Sequence, residues 1–153
     1  MLMWVSIIEC VAIFLSAVGT IVSAYAICKS NSLIEKQMKD QKYKDLQDTL
    51  REILKIGVRY PYFERKDFTS AWSVQKYYEE EEYTRYDFYC NLIYNYLHDV
   101  FEYFEKDRKK IEDYVDVKHW IRMHKANWTH SVDDENLDGY DKEFRDFINS
   151  YIS

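Results

Sequence analysis

The sequence predicts an all-α protein, with an N-terminal transmembrane helix over residues 1–28 and a small cytoplasmic α-helical domain, a helical bundle, over 29–153. Three observations predict it. Glycine and proline are scarce, three and one in 153 residues, so little of the chain can be tight turn. No stretch alternates apolar and polar residues with period two; apolar residues recur instead every three or four positions. Residues 2–27 are almost uninterrupted in apolarity, and Glu9 is the one charged side chain among them.

At about 1.5 Å of rise per residue the first run is long enough to span a hydrocarbon core of ~30 Å with tilt. On a helical wheel Ser6, Glu9, Ser16, Thr20 and Ser23 share one face, with Val11, Phe14, Leu15, Val18, Ile21, Val22 and Tyr25 opposite. A polar stripe gains nothing from lipid, so it is expected either to line a shared aqueous lumen or to pack against other copies. A homo-oligomer in the bilayer is the expectation. Ser and Thr can also bond their own helix carbonyls at little cost, and Ala12, Ser16, Gly19, Thr20 and Ser23 fit close helix packing without a pore. A cleaved signal peptide is disfavoured, because no basic residue precedes the run, Glu9 interrupts it and it is too long.

Lys29, Lys36, Lys39, Lys42 and Lys44 follow the run and nothing positive precedes it, which places the C-terminal part in the cytoplasm of a single-pass inner-membrane protein. Ser32 and Glu35 have capping-box spacing and predict an amphipathic helix joined to the first by at most a brief break at Lys29-Ser30-Asn31. Leu33, Ile34, Met38, Leu46, Leu50, Ile53, Leu54 and Ile56 carry it to Gly57. The only proline, Pro61, lies just beyond. Tyr86, Tyr89, Cys90, Ile93, Tyr94, Leu97, Val100, Phe101 and Phe104 predict the central core helix. Two further helices are expected over about Arg108–Trp128 and Tyr140–Ile152, separated by the polar segment from Ser131 to Asn136.

The 125 residues of 29–153 suffice for one compact domain. Net charge is −6, of which Glu9 supplies −1, leaving −5 for the cytoplasmic part. That argues against a dedicated nucleic-acid surface, though not against a local basic patch. Fifteen tyrosines exceed what one small core needs and suggest subunit contacts. Cys10, Cys28 and Cys90 are isolated, giving neither a zinc site nor a disulfide framework. The sequon at Asn127-Trp128-Thr129 is meaningless in a cytoplasmic domain.

Chemistry is sparse. No phosphate loop, HExxH, GxSxG or calcium loop occurs, and no cofactor or metal is expected. His119 and His124 stand five apart, poor spacing for one helix face. The Glu79–Glu82 run reads as a solvated face. Lys125 and His130 are the nearest equivalent of an Arg-x4-His pair, and Lys lacks the planar fork of Arg, so no enzyme is expected.

One apolar span, a small helical domain and that degenerate pair make the chain resemble the membrane accessory proteins of type VI-B CRISPR systems, with a divergent HEPN-like domain. The resemblance implies an oligomeric pore that perturbs the membrane in antiphage defence, with Ser6, Glu9, Ser16, Thr20 and Ser23 lining it, and an RNA-guided RNase or its RNA products as partner. A looser resemblance, through His124, Trp128, Tyr140, Phe144, Phe147 and Ile148, is to uncharacterised single-pass bacterial proteins. The competing expectations are a membrane-tethered module that recruits a cytoplasmic protein or RNA, and a degenerate HEPN-like RNase.

Overall fold

The computed structural model describes the backbone of residues 2–75, 81–131 and 139–152, and side chains within those stretches from Ser16 onward, Ala17 excepted. Among the described residues the chain is all-helical. It contains α1 (Leu2–Arg59), a 3-10 turn (Pro61–Glu64), α2 (Lys66–Ser70), α3 (Trp72–Gln75), α4 (Glu81–Tyr103), α5 (Arg108–Tyr114), α6 (Val117–Thr129) and α7 (Lys142–Ile152). Two compact units divide at Lys42/Tyr43, and α1 contributes to both.

The first unit is helical through Lys29-Ser30-Asn31, without the brief break that the sequence allowed there. With neither Gly nor Pro there, Ser and Asn cost only about half a kcal/mol each against Ala, too little to end a helix with turns on both sides. Ser32 is therefore a helix-interior residue, and its capping-box spacing to Glu35 marks no terminus. Val18, Ile21, Val22, Tyr25, Ile27, Leu33, Ile34 and Met38 are all exposed. Among the described residues no helix is long and apolar enough to cross a membrane. The side chains of Ser6 and Glu9 lie outside the described residues.

In the second unit Leu46 and Ile53 enter the core from the last turns of α1. The helix stops because Pro61 pushes Tyr60 out of the α region, to φ −127°, ψ 69°. The expected central helix is α4, and Tyr86, Tyr89, Cys90, Ile93, Tyr94, Leu97, Val100 and Phe101 on it are buried as one stripe. The single helix expected over Arg108–Trp128 is two. Val115 is extended at φ −143°, ψ 146°, and the Asp116 carboxylate accepts from the His119 amide to start α6 afresh. Asp107 caps α5 in the same way, accepting from the Lys109 and Lys110 amides. Helix α7 turns Phe144, Phe147, Ile148 and Tyr151 inward.

Tyrosine is used within this unit. Tyr94 donates to the His124 carbonyl at 3.0 Å, Tyr140 to Asn95 at 2.7 Å and Tyr151 to Glu112 at 2.7 Å. Several of the hydroxyls that suggested subunit contacts thus find partners inside the fold. The Tyr96 hydroxyl is buried with no hydrogen-bond partner among the described residues.

Candidate anion-binding groove

Helices α2 and α6 pack alongside each other. Glu64, just before α2, lies 3.9 Å from His119, and Thr69, one turn further along, meets the Met123 sulfur at 3.8 Å. The two helices therefore run the same way. An open groove of about 690 Å³ lies beside them, lined by Lys66, Asp116, Lys118, His119, Arg122, Met123, Lys125, Tyr151 and Ile152.

Its charge is one-sided. Lys118, Arg122 and Lys125 fall within about 60° of arc on α6, because positions i, i+4 and i+7 recur on one helix face. Lys66 adds a cation from α2. Asp116 is the one acid in the lining, and its carboxylate is engaged with the helix amide it caps. Lys118 is partly neutralised by Glu112 at 3.6 Å. Lys66, Arg122 and Lys125 have no ion-pair partner among the described residues. Three cations without an ion-pair partner among the described residues, around one hollow in a chain of net charge −6, give the groove a positive lining.

Behind the groove lies a buried polar cluster. The Tyr86 hydroxyl is 3.0 Å from His124 Nδ1, and the Tyr89 hydroxyl donates to Glu64 Oε1 at 2.6 Å. His124 is fully buried, and its Nε2 sits 3.5 Å from Glu64 Oε1 without hydrogen-bond geometry. The adjacent carboxylate favours the tautomer with the proton on Nε2, which leaves Nδ1 to accept from Tyr86. Burial pushes the Glu64 carboxyl up, but the contacts with His124 and Tyr89 outweigh it and hold the group below its ordinary range. Burial raises the Tyr86 hydroxyl and pushes the Cys90 thiol well up. Cys90 is thus a poor nucleophile, and with both groups out of solvent the cluster is structural. Glu64 also joins His119 and His124, whose five-residue spacing argued against a common partner: a carboxylate from a neighbouring segment reaches both.

A depressed carboxyl fixes the sign of a pH effect. Glu64 contributes stability above its unfolded-state value, near 4.5, and that contribution is lost as pH falls through the lower folded value. Chemical denaturation of the wild type and of Glu64→Gln should therefore give curves separated at pH 7 whose separation shrinks as pH falls below about 4.5. Curves of constant separation down to pH 3 would contradict the assignment.

Of the residues singled out in the sequence, Ser16, Thr20 and Ser23 are exposed on α1, and the Thr20 hydroxyl donates to the Ser16 carbonyl at 3.0 Å. Lys125 lines the groove, whereas His130 follows α6, its Nδ1 2.9 Å from the Thr129 hydroxyl, and is not part of the lining. Asn127 is buried and donates to Asp87 at 2.8 Å. Glu81 and Glu82 are exposed; Glu79 lies outside the described residues.

The basic stripe itself escaped the sequence reading, although Lys118, Arg122 and Lys125 have the spacing that reveals it. A second group, His98, Glu102 and Asp141, brings three potential metal-ligand atoms within 4.8 Å of one another. Lys106, 3.7 Å from Glu102 and paired with Glu143, already supplies positive charge there. Comparison with protein-family models, with curated proteins and with solved structures finds no match to this chain.

Proposed function

We propose that the chain is a membrane-tethered helical binding module whose groove captures a phosphate-bearing polyanion. The observation that carries this reading is the gathering of Lys66, Arg122 and Lys125, without ion-pair partners among the described residues, at one hollow of an acidic chain. Backbone-independent cations of this kind bind phosphate as point charges or, for Arg, through a bidentate fork. The tether is supported by the apolar run of residues 2–27 and by the exposed apolar side chains from Val18 to Ile27, which require hydrocarbon or protein cover. On this reading the protein sits in the bacterial inner membrane with the groove in the cytoplasm, as the flanking lysines favour.

The homo-oligomeric pore suggested by the polar stripe uses the same helix but asks more of it. The Thr20 hydroxyl is satisfied by its own helix at Ser16, which supports an anchor over a lumen-lining residue. The resemblance to type VI-B accessory proteins would make the polyanion an RNA product of the partner RNase and the process antiphage defence. Replacing residues 1–28 by an unrelated single-pass helix separates the readings: membrane localisation and binding of inorganic polyphosphate survive for a tether. A pore loses its ion flux.

A further inference from the structure

We infer that the occupant of the groove is a small organic polyphosphate of nucleoside di- or triphosphate class, its phosphates held by Lys66, Arg122 and Lys125 and its organic part laid on Met123 and Ile152. The inference rests on the polyanion-binding reading and narrows it.

Three observations carry it. The first is the extent of the positive surface. From Lys118 to Lys125 the stripe runs seven residues, about 10 Å of helix, and Lys66 approaches from α2 instead of extending the line. The cations converge. Single-stranded nucleic-acid sites track the backbone over about 4–16 nucleotides, and a strand leaving the N-terminal end of this stripe meets Asp116 in the lining and Glu112, 3.6 Å from Lys118. The second is local charge: Asp116 in the lining and Glu112, 3.6 Å from Lys118, bound the positive surface at one end, so a long polyanion finds acid where it would leave the groove there. A compact di- or triphosphate concentrates its charge where the cations are.

The third is the character of the hollow. About 690 Å³ falls within the range of small-molecule sites, roughly 300–1,000 Å³. Met123 and Ile152 are partly exposed in the lining and offer apolar surface that phosphate alone leaves uncovered. Tyr151 adds little to that face, since Arg108 lies over its ring at 4.8 Å and its hydroxyl is bonded to Glu112. His119, at the rim and 3.9 Å from Glu64, is placed to donate to a phosphate oxygen. A ligand with both a charged and an apolar part matches the site better than either part alone.

The test is calorimetric titration of the full chain in detergent with ATP, with inorganic triphosphate and with a ten-nucleotide single-stranded RNA lacking terminal phosphates. The inference expects one ATP per chain, bound at least about tenfold more tightly than triphosphate and than the RNA. Arg122→Glu should weaken ATP by tenfold or more, and Ile152→Ser should narrow the gap between ATP and triphosphate while leaving triphosphate unchanged; circular dichroism checks that both variants fold. Equal affinity for ATP and triphosphate overturns the organic half of the inference. RNA binding more tightly than ATP overturns the inference while the polyanion module stands. No binding of any probe overturns both.

Discussion

Replacing Trp72 by Ala is expected to destabilise the Tyr43–Ser153 unit by about 3–5 kcal/mol, the cost of emptying a large aromatic site that cannot collapse. Trp72 is 1% exposed and packs against Tyr83 and Tyr86, with ring centroids 6.3 and 5.7 Å away. Its indole N–H donates to the His130 carbonyl at 2.9 Å, tying α3 to the end of α6. Truncation thus leaves a void beside the Tyr86–His124 contact and an unpaired carbonyl at the helix that forms the groove wall. In a domain of this size the melting temperature should fall by on the order of 10 °C or more. Trp72→Phe keeps most of the ring and loses the hydrogen bond, so it should cost about 1 kcal/mol plus a smaller void. Denaturant titration of both variants checks the ordering, and equal effects would show that the hydrogen bond, and not the volume, dominates.

The second large effect is on binding. Reversing Lys66, Arg122 and Lys125 together to Glu turns three attractive charges into three repulsive ones, and affinity for inorganic polyphosphate should fall by at least a hundredfold, more than about 2.7 kcal/mol. All three side chains are exposed, so stability should change little. The wild-type affinity should also drop steeply between 50 and 200 mM salt, and the slope should flatten in the triple variant because fewer counterions are released. Reversal of Lys106, Lys109 and Lys110, outside the groove lining, is the control. A comparable loss in that control would make the attraction a diffuse property of the surface.

The helical class was legible because periodicity and the scarcity of Gly and Pro are local properties. The central helix was legible for the same reason: its stripe from Tyr86 to Phe101 is regular, and burial follows it. What local pattern could not decide was where competing signals win. At Lys29-Ser30-Asn31 poor helix formers were outvoted by the turns on either side. At Val115-Asp116 a cap interrupted an otherwise helical pattern. The groove was harder, since half of it follows from one helix and half from its neighbour. The spacing of Lys118, Arg122 and Lys125 was visible, but Lys66 joins them only through the packing of α2 on α6, as the Thr69–Met123 contact records. The same holds for Glu64, which a stretch of 55 or 60 residues separates from the two histidines it meets. Overall acidity masked the patch, because net charge averages over surfaces that never meet one ligand.

A proton–nitrogen correlation spectrum of the isotopically labelled full chain, titrated with inorganic triphosphate, tests the central claim most directly. The account predicts saturable shifts concentrated on the amides of Lys66–Ser70 and Asp116–Ala126 and on Tyr151 and Ile152, absent in the Lys66, Arg122, Lys125 triple reversal. Shifts spread evenly over the exposed lysines, or centred on Lys29–Lys44, would contradict it.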